Sequence, residues 1–133
     1  MKSRLLLHLG LIFTLVAFVS ACATPPTTAT GYTASAKTKL DKGDYDAAIA
    51  DATKAIALAA TDAEAYYCRA SAKEAKDDFD GAIADFNKVI ALDPNNVDAY
   101  NDRGMAKESK GDLAGAAADL NKAEEIKLQQ PSH

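Results

Sequence analysis

Residues 63–96 read AEAYYCRASAKEAKDDFDGAIADFNKVIALDPNN, and an altered copy of this text lies on either side of them. Tyr66 has counterparts in Tyr32 and Tyr100, each 34 residues away. Ala82 repeats as Ala48 and Ala116, Asp85 as Asp51 and Asp119, and Lys88 as Lys54 and Lys122. The break Asp77-Asp78-Phe79-Asp80 falls in register with Gly43-Asp44-Tyr45-Asp46 and with Gly111-Asp112-Leu113. Three units result, 29–62, 63–96 and 97–130. A period of this length marks units that cannot bury an apolar face alone and must stack on one another.

Each unit reads as a helix, a turn and a second helix. Apolar residues make up 48% of the chain, only 7% are aromatic, and Trp is absent, so the core is thin and rich in alanine. Alanine loses no side-chain entropy in a helix. No run of β-branched residues with period two follows residue 22. These observations predict an all-α fold. Small residues on the first helix, Ala36, Ala70 and Gly104, are placed to face Ala48, Ala82 and Ala116 on the second, since helices approach closely only where side chains are small. Tyr45, Phe79 and Leu113, then Ile49, Ile83 and Ala117, recur at helical spacing as the packed stripe. Asp93-Pro94-Asn95-Asn96 ends one unit and caps the next helix. Where Ile56 and Ile90 recur, the third unit has Glu124, followed by Glu125 and Lys127. The last helix is therefore expected to carry a polar outer face and to end the array.

The period and pattern resemble the tetratricopeptide repeat (TPR). The middle unit carries its Tyr66, Ala70, Ala82, Phe86 and Pro94, and the last unit its Tyr100, Gly104, Ala116 and Leu120. Departures are Arg69 and Arg103 in place of Leu, and Lys39, Lys73 and Lys107 in place of the second aromatic. Only the middle unit ends in Pro. The resemblance implies a helical-hairpin solenoid of three TPR units, six antiparallel helices in all. It also implies a concave surface lined by the first helices, and a scaffold for binding protein rather than an enzyme.

Residues 1–21 read as an export signal instead of as part of the fold. Lys2 and Arg4 precede an apolar stretch, Leu5 to Val19, which is shorter than the ~20 residues of a comfortable membrane span. Val19-Ser20-Ala21-Cys22 closes it and resembles the lipobox of bacterial lipoproteins. That resemblance implies lipidation of Cys22 and cleavage before it, and so attachment to a membrane by a lipid anchor. The alternatives are an ordinary secretory signal with a chance cysteine, or a retained membrane helix. Ala23 stands where an Asp would resemble an inner-membrane retention signal, which points to the outer membrane, facing the periplasm, if the host is diderm. Residues 22–30 comprise the lipidated Cys and a flexible tether; its ATPPTTAT stretch, residues 23–30, spans at most ~28 Å at ~3.5 Å per residue. Residues 131–133 form a tail.

Formal net charge is −4, and loss of Lys2 and Arg4 with the signal would make it −6. Without a basic patch, binding to nucleic acid is not expected. His8 would leave with the signal, His133 is the final residue and Cys22 would carry lipid, so only Cys68 remains for cysteine or histidine chemistry. No phosphate-cradling glycine loop occurs. The expectation is no catalysis, no cofactor and no metal. Asp51, Asp85 and Asp119 recur one per unit, roughly 10 Å apart in packed repeats, too far to share an ion. Arg69 and Arg103 keep step with Asp85 and Asp119, which predicts an Arg–Asp pair inside each of those units. Cys68 is either an inert buried thiol or the site of an intermolecular disulfide.

On the implied concave surface stand Lys37; Glu64, Tyr67, Ser71 and Glu74; and Asp98, Asn101, Asp102, Met105 and Glu108. A subgroup of the family grips a chaperone peptide's terminal carboxylate with Lys, Asn and Arg. The matching positions here are Thr33, Lys37, Cys68, Asp98 and Asp102, which do not fit an anionic end. The acidic surface instead predicts a basic or neutral polypeptide segment as partner, with Tyr67 and Met105 as apolar contacts and Asn101 bonding to its backbone. The bland alternative is that these charges merely solvate an exposed helix face. A second class of function is a structural lipoprotein that stacks with its own copies; a third, an enzyme or small-ligand carrier, lacks the histidines for it.

Overall fold

A computed structural model describes residues 26–129. Residues 1–21, Cys22, the first part of the tether and the tail 131–133 lie outside the described residues. Six helices follow in order: α1 (Ala29–Asp41), α2 (Tyr45–Leu58), α3 (Ala63–Glu74), α4 (Phe79–Leu92), α5 (Val97–Ser109) and α6 (Leu113–Gln129). No strand occurs among the described residues. The chain is an all-α solenoid of three helical hairpins, with each helix packed on its neighbour in sequence. Ala29 and Thr30 form the first turn of α1 and so are not tether, because Thr28 caps the helix by accepting from the Gly31 N–H at 3.1 Å.

The turns within the hairpins explain why helices begin and end where they do. Gly43, Asp77 and Gly111 occupy one repeat position and all have positive φ, 76°, 61° and 85°. The left-handed residue lets the next backbone N–H fold back onto the helix just finished: Asp44 to the Lys39 carbonyl, Asp78 to Lys73 and Asp112 to Lys107, each at 2.9 Å. The same three aspartates then start the second helix, each accepting at its side chain from the N–H three residues on. Between hairpins, Asp62 and Asn96 cap α3 and α5 in the same manner.

Ala36, Ala48, Ala70 and Ala82 are fully buried, and the small side chains bring the two helices of each hairpin together. Gly104 keeps this approach in the third hairpin, where a Cβ would come 3.4 Å from the Ala116 carbonyl. Phe86 and Val89 are the largest fully buried side chains, and they share one cluster with Ala70, Ala82 and Ala99. That cluster joins the second hairpin to the third.

The stripe expected to be packed in all three units is packed in two. Tyr45, Ile49, Phe79 and Ile83 are half-buried, whereas Leu113 is 65% exposed and Ala117 is exposed. Leu120, in the place of the fully buried Phe86, is 44% exposed. Glu124, Glu125 and Lys127 are exposed, but the outer face of α6 is not polar throughout. The reason is positional: the stripe of each hairpin is covered by the hairpin after it, and no described helix follows α6.

Candidate functional site

Helix α3 touches both α1 and α5, so the first helices line one continuous side of the solenoid. Between α1 and α3 lies a cavity of 490 Å³, bordered by Lys37, Leu40, Glu64, Tyr67, Cys68 and Asp98. A second, of 390 Å³, adjoins it at Thr30, Thr33, Ala34, Lys37, Asp62 and Glu64. Of the ten groove residues named from the sequence, Lys37, Glu64, Tyr67 and Asp98 border these cavities. Asn101, Asp102 and Met105 extend the surface along α5, Ser71 and Glu74 along α3, and Glu108 sits exposed near the end of α5. The cap residues Asp62 and Asn96, together with Asp41, also line the groove and were not singled out from sequence. Their signal was available, since a cap between hairpins must lie beside the first helix of the unit before it.

Two links tie the groove together. Lys37 donates to Glu64 at 2.9 Å, and Thr33 donates to Asp62 at 2.6 Å, both bridging α1 to the second hairpin. Further along, the Tyr67 hydroxyl donates to Asp102, while its ring meets Phe86 edge-on with centroids 5.7 Å apart. The Ser71 hydroxyl is spent on the Tyr67 carbonyl at 3.1 Å. Glu74, Asp98, Asp102 and Glu108 form no ion pair among the described residues, so this end of the groove is uncompensated negative charge. Burial, then the charge of Asp98, raises the Asp102 carboxyl above its ordinary range against the Tyr67 hydrogen bond. Burial and Asp102 raise Glu74 likewise. Burial and the bond to Asp102 hold the Tyr67 phenol well above its ordinary value. Cys68 is 3% exposed, and burial, then Glu64, pushes its thiol up to about 11, which keeps it protonated and a poor nucleophile.

Behind the groove, each hairpin is braced by a buried aspartate. Arg69 clamps Asp85 with Nε and Nη2, at 2.8 and 2.7 Å, and Arg103 clamps Asp119 in the same way at 2.9 and 2.6 Å. The lysines standing where the repeat pattern has an aromatic complete the brace: Lys73 reaches Asp85 and Lys107 reaches Asp119, both at 2.8 Å. In the first hairpin Ser35 replaces the arginine, and Asp51 takes Ser35 at 2.6 Å and Lys39 at 2.5 Å. The arginines also reach backwards, Arg69 to Thr53 at 3.2 Å and Arg103 to Asn87 at 2.6 Å, each on the preceding hairpin. No group of three His, Cys, Asp or Glu side chains converges as metal ligands among the described residues.

The tetratricopeptide repeat pattern matches residues 29–62 and 97–130, and a second TPR repeat pattern matches residues 75–111. This chain belongs to the TPR family. The crystal structure of MamA has a TM-score of 0.75 to it at 30% identity, covering 77% of this chain and 60% of that one. This chain thus spans less than two thirds of the MamA chain. The Arabidopsis OM64 TPR domain gives 0.74 at 29% identity, over 77% of this chain and 85% of that one. The first TPR of Spaghetti (RPAP3), bound to the HSP90 peptide SRMEEVD, gives 0.74 at 26%, over 77% and 82%. No curated protein matches the chain. As a TPR domain, it is a scaffold for protein–protein interaction. Among its described residues, no helix is long and apolar enough to cross a membrane.

Proposed function

We propose that this TPR domain is a non-catalytic adaptor, held at a membrane of the bacterial cell envelope through Cys22, whose concave groove takes an extended basic or neutral polypeptide segment. The observation that carries the reading is the charge of the groove's far end. Among the described residues Glu74, Asp98, Asp102 and Glu108 have no cationic partner, and they lie beside apolar surface from Tyr67 and the 49% exposed Met105. A lysine or arginine of a partner would supply the missing charge, while a segment as acidic as the SRMEEVD peptide on the Spaghetti domain would be repelled. Asn101 stands half-buried on the same surface as a donor and acceptor for the segment's backbone. The export signal, the Val19-Ser20-Ala21-Cys22 motif and Ala23 support the anchor and an outer-membrane site facing the periplasm.

Crosslinking in cells, followed by identification of co-purified proteins, tests the groove beside the triple variant Glu64→Lys, Asp98→Lys, Asp102→Lys. A partner retained by the native chain and lost from the variant, with unchanged helical circular dichroism, is the expected result. A partner held equally by both removes the groove from the function. Radiolabelled palmitate incorporated by the native chain and not by Cys22→Ser is expected for the anchor; equal labelling of both sinks it. Recovery of the chain's own copies alone would favour a self-stacking structural lipoprotein.

A further inference from the structure

The outer face of α6 is a second candidate surface, at the end of the solenoid where α6 packs on α5 alone. At the two interior junctions, the following hairpin covers Tyr45, Ile49 and Ala52 on α2, and Phe79, Ile83 and Phe86 on α4, all half-buried or buried. On α6 the same three positions hold Leu113, Ala117 and Leu120, all exposed, with Leu113 at 65% and Leu120 at 44%. Three apolar residues at i, i+4 and i+7 form a stripe along one helix face.

The interior junctions also show which helix fits such a stripe. Each covering helix brings two fully buried alanines seven residues apart, Ala65 and Ala72 on α3 or Ala99 and Ala106 on α5. An arginine stands between them, and its Nη1 reaches Thr53 or Asn87 on the covered helix. On α6 the residue in the place of Thr53 and Asn87 is Asn121, exposed, so the acceptor for that arginine is present. A second link at each interior junction, Lys76 to Asp46 and Lys110 to Asp80, has no counterpart, because Ala114 stands at the aspartate position.

The occupant is not α1 of another copy. There Ser35 replaces the arginine and is bonded to Asp51 of its own hairpin, and the larger, polar Thr38 stands where α3 and α5 bury Ala72 and Ala106. Head-to-tail stacking would therefore lack the arginine at one side of the junction and the aspartate at the other. We propose that the outer face of α6 docks an amphipathic helix of a partner protein, carrying small–x–x–x–Arg–x–x–small, with its arginine on Asn121 and its small residues over Leu113 and Leu120. This is helix-on-face recognition, in which anchors at helical spacing give affinity and one polar contact sets the register. It does not depend on what the groove binds.

The test uses the full chain and a fluorescent, end-capped peptide of residues 97–110, whose α5 sequence already carries the pattern as Ala99, Arg103 and Ala106. Saturable binding by anisotropy is expected, weakened at least about tenfold by Leu120→Lys or Leu113→Lys in the protein and severalfold by Arg103→Ala in the peptide. Both leucines are exposed, so these variants are expected to keep the native circular dichroism. Binding should be unmoved by Asp98→Lys with Asp102→Lys in the groove. The proposal is overturned by absence of saturable binding, by binding indifferent to Leu113→Lys and Leu120→Lys, or by binding lost with the groove variant. It is equally overturned if sedimentation shows a dimer of the native chain that Leu120→Lys dissociates, since the face would then belong to a second copy.

Discussion

Asp85 is a buried carboxylate with a 6% exposed side chain, and it accepts from two nitrogens of Arg69 and from Lys73. Removing it strands two cations whose side chains are only 19% and 21% exposed. Asp85→Ala should therefore cost about 3 kcal/mol in urea unfolding, because breaking one side of a buried ion pair leaves uncompensated charge. Asp46 offers a control. It meets Lys76 from a side chain 82% exposed, so Asp46→Ala should cost under about 0.5 kcal/mol. Equal losses would mean that the brace contributes no more than a surface pair. Acid should act through the aspartates at the equivalent position of the first and third hairpins, Asp51 and Asp119. Burial alone would raise Asp51 and Asp119, but their bonds from lysine, serine and arginine outweigh it and hold both below the ordinary range. Their contribution is thus present at neutral pH and lost as pH falls below about 4, through their folded-state values. Asp102 has the opposite sign, since its raised carboxyl opposes folding while charged. Asp102→Asn should raise Tm at pH 7, and the difference should vanish near pH ~3, where Asp102 is protonated. A lower Tm for the variant at pH 7 would show that the Tyr67 bond outweighs burial. The Arg–Asp clamps were legible in the sequence because both members keep the 34-residue step. The lysines keep the same step, but a long flexible side chain shows its target only once the helices are set side by side.

Helix boundaries were the most legible feature of the elements, since Gly43, Gly111 and the aspartates after them carry turn and cap chemistry in their residue types. Asp77 is the exception, a non-glycine residue at φ 61° in the position that glycine holds in the other hairpins. A side chain there is strained relative to glycine, although Asp tolerates the left-handed region better than most residues. Thermal melts should rank Asp77→Gly above native and native above Asp77→Ala. Steps of about 0.5–1 kcal/mol are expected, or roughly 2–8 °C for a domain of this size. A destabilised Asp77→Gly would indicate that the Asp77 side chain contributes more than its backbone strain costs. The stripe on α6 was misread for a related reason. Periodicity tells which residues share a face, but whether that face is covered depends on an element outside the repeat.

For the whole molecule, one cluster of Phe86, Val89, Ala70, Ala82 and Ala99 spans two hairpins, while the rest of the core is mostly alanine. Phe86→Ala should therefore destabilise by about 3–5 kcal/mol and broaden the unfolding transition as the second and third hairpins uncouple. A loss under about 1 kcal/mol would show that the alanine contacts alone couple the hairpins. The groove was legible as a set of positions, because a solenoid puts equivalent residues of successive first helices on one side. What the sequence did not disclose was how those residues divide. Lys37 and Glu64 satisfy each other, Ser71 bonds within its own helix, and the uncompensated charge collects toward α5.

The aspartates that close one helix and open the next have a mechanical consequence. Asp44, Asp78 and Asp112 use the backbone N–H for the first helix and the side chain for the second, so no slack connector separates the two halves of a hairpin. Pulled by its ends, the domain should not lose helices singly. Each rupture should free a whole hairpin of 34 residues, about 120 Å of contour length. A force trace would then show a ladder of equal extensions, and a protein under load would yield in large, reversible increments rather than by gradual fraying.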